Sequence, residues 1–394
     1  MICFIVVHQS NRMWLLYISG ILLLIYTLLI AFYRWGWTTM PEFVLEERPL
    51  TTYRQKVSVI IPARNETVNI ANCIRSVLAQ SYPASLLEII VVDDHSTDDT
   101  ADIAQALSLA YHNVFLIQLN EAVENMAYKK RGIESGIAKA TGQWIVTTDA
   151  DCTHDPFWIE TMMQWQEKTA SNFIAAPVKY ITERTILSVF QTLDFMTMQG
   201  ITGASVYKRF HTMCNGANLG YKKEIFEKVG GFAGIDQLPT GDDMLLMYKI
   251  YKADPQKVTF LKSKQAITET TAPESWRAFF QQRIRWASKA SHYDDKRIFF
   301  TLLWVYLFNV WLLVMLVAAF FSWHNLVALI CMMGAKTAVE LWFLKPVTVF
   351  FDAGKWLREF PFLQPLHIVY VVISGWLGKF GKYEWKGREI KKSN

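Results

Sequence analysis

The sequence predicts an α/β fold in which a mostly parallel sheet is covered by helices and flanked by segments that could span a membrane. Between about residues 45 and 270, short β-branched runs alternate with segments of helical spacing, which is typical of parallel sheets covered on both faces. At the two ends of the chain the pattern changes to long apolar runs with few charges. A water-facing domain between membrane segments accounts for both features.

The composition is that of a protein with membrane-embedded parts. Of 394 residues, 52% are hydrophobic and 19% are charged, whereas soluble chains carry about 25% charged residues. This excludes a disordered chain and argues against a purely water-soluble one. The net charge of +5 at pH 7 predicts no nucleic-acid partner, because the basic residues cluster at the expected membrane edges, where anionic lipid accounts for them. The five cysteines form no CxxC pair and predict neither a zinc site nor a disulfide framework.

Four apolar segments are candidates for membrane helices. Residues 13–33 carry no charge and are long enough to cross a bilayer. Because this run exceeds the core of a signal peptide and Arg34 follows it, we expect a retained anchor. Three more runs lie near the C-terminus, at 298–323, at 326–344 and at 362–378. The run at 326–344 contains Lys336 and Glu340, which could pair on one helix face, and the last run is short and broken by Pro365.

Basic residues predict that the central domain faces the cytoplasm. Arg12 is alone before the first apolar run, whereas four basic residues follow it: Arg34, Arg48, Arg54 and Lys56. An excess of positive charge marks the cytoplasmic flank of a membrane helix, which predicts an integral protein of the inner or plasma membrane. The basic tail at 379–392 favours the same side, but three full C-terminal spans would place it outside. Two spans and one interfacial or re-entrant segment would place it inside, and the sequence leaves both arrangements open.

Four buried strands alternate with helices in the central domain. The strands are predicted at 57–63, 88–92, 114–119 and 144–148, and the helices at 68–80, 99–110, 130–140 and 157–167. Strands connected by helices of this length pair in parallel. Ligands of such sheets bind beyond the carboxyl ends of the strands, so we expect functional residues directly after each strand.

Acidic pairs follow the second and fourth predicted strands. Asp93 and Asp94 come directly after the second strand, and Asp149 and Asp151 come directly after the fourth. We expect both pairs beside one crevice, and acidic residues in solvated loops are the simpler alternative. Asp149 and Asp151 present hard oxygen donors from one turn, which Mg²⁺ or Mn²⁺ prefers when a phosphate completes the shell. The alternative for Asp151 is a cap on the following helix.

A third acidic pair precedes a helical run at 244–251. Asp242 and Asp243 stand at the expected N-terminus of this helix, where acidic residues are ordinary caps. The functional interpretation is a general base assisted by a neighbouring like charge. The sequence leaves both interpretations open.

Residues 274–290 form an amphipathic helix just before the second apolar run. Its predicted apolar face consists of Trp276, Phe279, Phe280, Ile284 and Ala287, and its other face of Gln282, Arg285, Trp286 and Lys289. We expect this helix to lie in the membrane interface at the cytoplasmic surface. Its arginines could clamp phosphate oxygens, and the simpler alternative is a surface helix with snorkelling arginines.

Taken in order, these motifs resemble those of inverting family 2 glycosyltransferases with a GT-A catalytic domain. The resemblance rests on VSVIIPARNE, VVDDHSTDDT, the Asp149-Ala150-Asp151 turn, CNGAN, GDD and the QxxRW motif at 282–286. It points to the membrane-embedded branch, which includes cellulose, chitin and hyaluronan synthases and ceramide glucosyltransferases. It covers about residues 57–286, with a weaker echo at 385–388. It implies a Rossmann-like GT-A fold, a nucleotide-sugar donor that is by family habit a UDP-sugar, Mg²⁺ or Mn²⁺, and a lipid or glycan acceptor.

The resemblance also implies roles for individual residues. Those implied to bind the donor are Pro62, Arg64, Asn65, Glu66, Asp93, Asp94, Lys129, Lys130, Asp149, Gln282, Arg285 and Trp286. Those implied to bind the acceptor are Asn215, Gly216, Ala217, Asn218 and Trp286. Asp149 and Asp151 match the DxD metal motif. Asp243 matches the catalytic base beside Asp242, where many members have glutamate. Lys129 and Lys130 are adjacent, and the resemblance does not choose between them.

The implied reaction is a single in-line displacement. The acceptor hydroxyl loses its proton to Asp243 and attacks the anomeric carbon. The metal on Asp151, with Arg285 and Lys130, stabilises the departing nucleoside diphosphate. We expect a lipid acceptor, because few polar groups in the apolar runs could line a secretion channel. These groups are chiefly Asn309, Lys336, Glu340 and His367.

Three alternatives remain open. A processive polysaccharide synthase that exports its product shares the QxxRW motif. A non-catalytic membrane scaffold with this fold is opposed by the intact acidic and QxxRW residues. A polyprenyl-phosphate sugar transferase needs no general base, because its acceptor phosphate is already ionised, and Asp243 argues against it.

The expected domain order has five parts. These are a transmembrane anchor at 1–44, a cytoplasmic GT-A domain at 45–272, an interfacial helix with QxxRW at 273–297, C-terminal transmembrane segments at 298–380 and a basic tail at 381–394.

Overall fold

Two units make up the chain in the computed structural model, which describes residues 2–49, 52–119, 128–236, 241–288, 294–380, 383–385 and 388–390. The sheet unit consists of Met40–Glu183 and Ile201–Ala272. The helical unit consists of Met1–Thr39, Arg184–Gly200 and Pro273–Asn394. Some expectations fall outside the described residues: Lys289 of the amphipathic helix, Lys386 and Gly387 of the C-terminal echo, and most of the basic tail at 381–394.

The strands are short and lie mostly in the sheet unit. In chain order they are β1 (Val57–Ala63), β2 (Leu87–Asp93), β3 (Val114–Gln118), β4 (Trp144–Thr147), β5 (Cys152–His154), β6 (Phe173–Ala175), β7 (Val178–Ile181), β8 (Leu219–Lys222), β9 (Val258–Phe260), β10 (Thr268–Thr271), β11 (Tyr383–Trp385) and β12 (Arg388–Ile390). Within the described ranges, seven of them form one sheet with the order β3-β2-β1-β4-β8-β6-β9. A second, small sheet has the order β5-β10-β7.

The central pairing is parallel, which confirms the predicted fold class. β1 pairs in parallel with β2 and with β4, and β2 pairs in parallel with β3. β8 is antiparallel to both β4 and β6. The sequence did not predict β5 to β10, because each has only three or four residues and is too short to show a periodic pattern.

The helices surround this sheet or belong to the helical unit. They are α1 (Ile2–Thr39), α2 (Ile70–Leu78), α3 (Thr100–Ala110), α4 (Tyr128–Lys139), α5 (Trp158–Thr169), α6 (Ile186–Tyr207), α7 (Lys223–Lys228), α8 (Met244–Ala253), α9 (Trp276–Ala287), α10 (Lys296–Ala319), α11 (Trp323–Phe350) and α12 (Phe360–Phe380). The four helices predicted between the first strands correspond to α2, α3, α4 and α5, with ends that agree within two residues.

The core of the sheet unit is built on β1, β2 and β4. Every residue of β2 and β4 is buried, and α2 and α5 pack on the sheet through residues such as Ile74 and Met162. Burial of both faces explains why these strands are continuous apolar runs in the sequence. The core therefore fixes the loops that follow β1, β2 and β4, where the acidic residues stand.

Four helices of the described chain are long and apolar enough to cross a membrane. By length and composition they are Trp14–Thr39, Lys296–Ala319, Trp323–Phe350 and Gly354–Lys379. They correspond to the four predicted apolar runs. The expectation that Pro365 breaks the last run is wrong, because α12 continues through it. Pro365 stands in the second turn of α12 and removes a single backbone hydrogen bond. Ending the helix there would leave several more backbone groups unpaired in apolar surroundings, which costs more free energy.

A buried polar network joins three helices of the helical unit. Lys336 Nζ lies 2.8 Å from Glu340 Oε1, as their spacing on α11 predicts. Gln364 of α12 accepts a hydrogen bond from Lys336 at 2.7 Å and donates one to Glu340 at 2.6 Å. Tyr26 of α1 also donates to Glu340. Lys336 is fully buried, so its charge is compensated inside the unit.

Lys336→Met should destabilise the helical unit, because it leaves Glu340 buried without its cation. Removing one partner of a buried ion pair costs about 3–5 kcal/mol. We expect a clear fall in the midpoint of thermal unfolding of the detergent-solubilised protein. Lys345→Met on the exposed side of α11 is the matched control and should keep a midpoint close to the wild-type value. Equal midpoints for the two variants would contradict a stabilising role of the network.

Candidate active site

The carboxylate that follows β4 is bound by a lysine of α4. Asp149 Oδ1 accepts a hydrogen bond from Lys129 Nζ at 2.5 Å. The turn is closed by a bond from the N–H of Cys152 to the carbonyl oxygen of Asp149 at 3.2 Å. The side chain of Asp149 is 36% exposed and that of Lys129 is 24% exposed, so a ligand can reach this pair from solvent.

Lys129 also contacts the acidic pair that precedes α8. Its Nζ lies 3.4 Å from Asp242 Oδ2. Burial opposes the charge of the ammonium, but the carboxylates of Asp149 and Asp242 outweigh burial and raise the pKa of Lys129 above its ordinary value. The lysine is therefore charged at neutral pH and joins the end of β4 to the start of α8.

Asp243 caps α8 and also contacts the loop before β8. Its Oδ1 accepts from the N–H of Met244 at 2.7 Å, and its Oδ2 accepts from the N–H of Gly216 at 3.2 Å. The capping interpretation is thus confirmed for Asp243, and its second oxygen still faces the predicted acceptor loop. A Cβ added at Gly216 would lie 3.4 Å from Lys129 Nζ. Lys129, Asp149, Asp242 and Asp243 therefore form one group, called here the carboxylate cluster.

The residues of the predicted acceptor loop have different surroundings in the structure. Ala217 donates its N–H to Asn215 Oδ1 at 3.0 Å, which shapes the turn. Asn218 is fully buried, and its Nδ2 donates to the carbonyl oxygens of Pro177 and Ala266, each at 2.8 Å. Asn218 faces the core instead of the carboxylate cluster. The expected contact of this side chain with an acceptor is therefore corrected to a structural role.

The two adjacent lysines of α4 point to different partners. Lys129 contacts Asp149 and Asp242, whereas Lys130 is 1% exposed and donates to the carbonyl oxygen of Ile235. Consecutive residues on a helix are about 100° apart, so they cannot share one target. The structure thus favours Lys129 as the lysine beside Asp149.

The loops after β1 and β2 interlock. Asn65 Oδ1 accepts from the N–H of Thr97 at 2.9 Å, and the N–H of Asn65 donates to Ser96 Oγ at 3.0 Å. Arg64 Nη1 donates to the carbonyl oxygen of Asp94 at 2.6 Å. The φ angle of Asn65 is +52°, a left-handed conformation that asparagine tolerates better than most residues. The predicted donor loop is thus held in one shape.

Two further residues of the predicted donor loop lie beside these contacts. Pro62 belongs to β1 and pairs with Val92 of β2. Glu66 donates its N–H to Thr100 Oγ1 at 2.7 Å and accepts from Asn69 Nδ2 at 3.0 Å.

Asp93 and Asp94 are almost fully buried at the end of β2, at 4% and 7% exposure. Asp93 Oδ2 accepts from the N–H of Ser96 at 3.3 Å, and Asp94 Oδ1 lies 2.9 Å from His95 Nδ1. The other oxygen, Asp93 Oδ1, is buried and has no hydrogen-bond partner among the described residues. A buried polar atom without a partner is costly, so this oxygen is suited to accept a hydrogen bond from a ligand.

Strand register brings the acidic residues to one edge of the sheet. Ala63 of β1 pairs with Asp93, and Ile60 pairs with Thr147 of β4. Asp149, two residues further on, therefore stands nearly level with Asp93. Neighbouring strands lie about 4.8 Å apart, which puts Asp93 and Asp149 about 10 Å apart across β1.

Asp149 and Asp151 fit a divalent cation that is shared with a diphosphate. In the part of the chain that the structure describes, no cluster of three or more His, Cys, Asp or Glu residues could hold an ion alone. Mg²⁺ commonly takes one or two protein carboxylates and completes its shell with substrate phosphates and water. Two carboxylates separated by a single residue, of which Asp149 is accessible, match that chemistry.

The QxxRW residues lie on α9 in the helical unit. Ser275 caps this helix through its Oγ, which accepts from the N–H of Ala278 at 3.2 Å. Gln282, Arg285 and Trp286 are partly exposed.

The buried face of α9 differs from the expected one. Its buried residues are Phe279, Arg283 and Ile284, whereas Trp276, expected on the apolar face, is 39% exposed. Sequence reasoning missed Arg283, because an arginine is normally counted with the polar face of a helix. Its position four residues after Phe279 places it on the same face of the helix, and this spacing is visible in the sequence.

Comparisons with known proteins identify a family for part of the chain. Residues 58–230 match the family model described as Glycosyl transferase family 2. This segment contains the residues after β1, β2 and β4 together with the loop before β8, and it ends before Asp242 and the QxxRW motif.

Two relatives extend beyond that segment. The probable glycosyltransferase YdaM of Bacillus subtilis (strain 168) is 28% identical over 257 residues, which are 62% of this chain and 59% of that protein. The poly-beta-1,6-N-acetyl-D-glucosamine synthase of Staphylococcus epidermidis is 22% identical over 280 residues, which are 67% of this chain and 64% of that protein. The matched region thus spans about three-fifths of the length of these relatives.

A solved structure shows the same fold. The mannosyltransferase PcManGT from Pyrobaculum calidifontis, in complex with GDP-Man and Mn²⁺, superposes with a TM-score of 0.58 at 20% identity, over 92% of this chain and 99% of that one. Together the comparisons support a family 2 glycosyltransferase segment in a GT-A fold.

Asn218→Ala should destabilise the sheet unit, because it leaves two buried groups without their partner and weakens a third. The carbonyl oxygen of Ala266 and the indole N–H of Trp158, which donates to Asn218 Oδ1 at 2.9 Å, lose their hydrogen bond. The carbonyl oxygen of Pro177 loses one of two, because it also accepts from the N–H of Thr268. Each stranded group costs about 1–3 kcal/mol. Thermal unfolding should show a large fall in midpoint for Asn218→Ala and a small one for Asn215→Ala. A folded Asn218→Ala protein of wild-type stability would show that the side chain is not structural.

Proposed function

We propose that this protein is a membrane-bound inverting glycosyltransferase. It would transfer a sugar from a nucleotide-sugar, in the simplest case a UDP-sugar, to a lipid or lipid-linked acceptor at the cytoplasmic leaflet. The carboxylate cluster carries this proposal, because one lysine contacts both the Asp-x-Asp turn and the pair that contains the candidate base. The family match at 58–230 supports glycosyl transfer as the reaction.

The base and ribose of the donor would bind at the ends of β1 and β2. Asp93 Oδ1 offers an unpartnered buried acceptor, which suits the ring N–H of a uracil. Arg64 and Asn65 hold the adjoining loops together and would keep this surface in place before the donor binds. Preorganised groups of this kind lower the entropy cost of binding.

The diphosphate would lie beside Asp149, about 10 Å away, which corresponds to two strand spacings. A Mg²⁺ or Mn²⁺ held by Asp149 and Asp151 would neutralise charge on the leaving diphosphate. Lys129 would add a second positive charge there, since its ammonium already contacts Asp149. The part expected of Gln282 and Arg285 in diphosphate binding remains a proposal from their match to QxxRW.

Asp243 would act as the general base. The N–H groups of Met244 and Gly216 orient its carboxylate. The neighbouring carboxylate of Asp242 forms an ion pair with Lys129. Asp243 is therefore held beside the loop at 215–217, where an acceptor hydroxyl can give up its proton. That hydroxyl then attacks the anomeric carbon as the bond to the diphosphate breaks, which inverts the configuration.

Burial in the helical unit favours a lipid acceptor over an exported polymer. Asn309 and Lys336 are fully buried, and Glu340 is 7% exposed. Asn309 donates to the carbonyl oxygen of Val305 at 2.7 Å, and the other two belong to the buried network. Side chains engaged in this way do not line a water-filled channel in this chain.

A processive polysaccharide synthase is the second candidate. The identity with the Staphylococcus epidermidis synthase, over 67% of this chain, favours it. Because polymer export needs a polar channel, this candidate requires several copies of the chain around one pore.

The packing of α9 against α12 supports a particular membrane arrangement. Phe279 of α9 lies 5.4 Å from Tyr370 of α12 between ring centroids, and a Cβ at Gly378 would be 2.6 Å from the Cβ of Ala287. The two contacts are equally spaced on both helices, about 12 Å apart, so the helices run side by side. Since α9 is amphipathic, it would lie in the interface. α12, whose Gln364 bonds Lys336 midway along α11 and whose other end packs on α9, would enter the membrane from that surface without crossing it.

This arrangement leaves α10 and α11 as the full C-terminal spans. The tail then lies on the same side as the proposed catalytic domain at 45–272, with the interfacial helix at 273–297. The basic residues of the tail and of the segment after α1 then lie on the same, cytoplasmic side of the membrane, as the excess of positive charge predicts.

A reporter protein fused to the C-terminus should therefore indicate a cytoplasmic location. A fluorescent protein fused after Asn394 should fluoresce, and alkaline phosphatase fused there should be inactive. Fusion to the turn between α10 and α11, at residue 322, should give the opposite pattern and serves as the control. Active phosphatase at the C-terminus would show that α12 crosses the membrane.

Release of nucleoside diphosphate tests the proposed function directly. Purified protein in detergent with Mn²⁺ or Mg²⁺ is given a panel of nucleotide-sugars, with and without total lipid extract. We expect release that requires one donor and the lipid extract, with label transferred to a lipid. A growing high-mass glycan from donor alone would establish the second candidate instead.

Asp243→Asn is the matched variant for this measurement. It should lower transfer by about 10²–10⁴-fold, the usual contribution of a general base, while binding of UDP stays close to wild type. Asp254→Asn, which changes a cap at the other end of α8, should keep full activity. Wild-type turnover in Asp243→Asn would exclude this residue as the base.

A further inference from the structure

Arg283 is more buried than the motif residues beside it. It occupies a position that QxxRW leaves open, and it is 4% exposed, whereas Gln282 and Trp286 are partly exposed. A buried guanidinium costs free energy unless partners compensate its charge. Its partners therefore indicate what the burial achieves.

One set of contacts anchors Arg283 outside α9. Its Nε and Nη2 lie 3.0 Å and 2.7 Å from Asp194 Oδ2, and Asp194 belongs to α6. Tyr370 of α12 donates to Asp194 Oδ1, and His367 Nε2 lies 4.0 Å from the same oxygen. The carboxylate is thus held by two residues of α12, and it fixes the guanidinium in turn.

A second set of contacts joins the same guanidinium to the motif. Arg283 Nη1 donates to Gln282 Oε1 at 2.5 Å. The guanidinium carbon lies 4.3 Å from the ring centroid of Trp286, within the range of a cation–π contact. The ring of Phe195 lies 6.1 Å from that of Trp286. One anchored group therefore restricts the side chains of both Gln282 and Trp286.

We propose that Arg283, anchored by Asp194, is a positioning residue of the QxxRW motif. It sets the orientation of the Gln282 amide and the Trp286 indole. A lysine could not replace it, because a single ammonium lacks the planar fork that reaches Asp194 and Gln282 together. The inference rests on the proposed function, which gives Gln282 and Trp286 their part in substrate binding.

A purely structural pin is the competing explanation. In that case the ion pair would hold α9 against α6, and its loss would lower stability without changing the surroundings of Trp286 in the folded protein. A spectroscopic signature of Trp286 separates the two explanations.

The first measurement uses the full chain labelled with 5-fluorotryptophan, in detergent. The ¹⁹F resonance of Trp286 is assigned by its loss in Trp286→Phe. It should shift or broaden in Arg283→Met, Arg283→Lys and Asp194→Asn. Arg297→Met breaks a more exposed ion pair of the same unit, with Asp295 at 2.8 Å, and should leave the resonance unchanged.

The second measurement is the affinity for UDP in the presence of Mn²⁺. Arg283→Met should weaken UDP binding about tenfold, which corresponds to about 1.4 kcal/mol. In a Gln282→Ala background the same change should have a much smaller effect, because Arg283 acts through Gln282. Such non-additivity is the mark of a coupled pair.

The outcomes separate this inference from the proposed function. An unchanged Trp286 resonance in folded Asp194→Asn and Arg283→Lys overturns the inference, whatever the activity. Additive losses of UDP affinity also overturn it. A shifted resonance with unchanged UDP affinity in all variants, Gln282→Ala included, upholds positioning by Arg283 and overturns the role proposed for Gln282 in donor binding.

Discussion

The ammonium of Lys129 holds two carboxylates from distant parts of the chain, and the candidate active site depends on this contact. Asp149 belongs to the end of β4 and Asp242 to the segment before α8, so without a cation between them their charges would repel each other. Gly216 allows a third segment to approach the same point. A parallel sheet favours such convergence, because the carboxyl ends of its strands open towards one side. The proposed reaction would take place at that edge of the sheet.

Among its described residues, the helical unit also contains two ion pairs in which both partners are buried. Lys336 and Glu340 connect α11 to α1 and α12, and Arg283 and Asp194 connect α9 to α6. A buried ion pair gains little net free energy over apolar side chains of the same volume. We therefore interpret both pairs as contacts that select one register between neighbouring helices, since only one register brings the charges together. In α9 the selected register also orients the QxxRW side chains.

Much of the fold follows from local patterns. The runs of β1, β2 and β4 were predictable because strands buried on both faces are continuously apolar. The four apolar helices were predictable because the thickness of a bilayer sets their length. The short strands β6, β8 and β9 were not, since three or four residues carry no period and their pairing comes from segments far away in the chain. The continuation of α12 through Pro365 also depends on its surroundings rather than on local sequence.

The sequence by itself determined which chemical groups the chain can offer and in what order. The acidic pairs after β2 and β4, the pair before α8 and the QxxRW motif could all be identified from their neighbours. Only the tertiary structure decided which of these groups meet. Lys129 contacts Asp149 and Asp242, whereas Lys130 donates to the carbonyl oxygen of Ile235. Asn218 faces the core, and Arg283 belongs to the buried face of α9. The direction of a side chain depends on how its whole helix or loop packs, and that packing is set by residues distant in sequence.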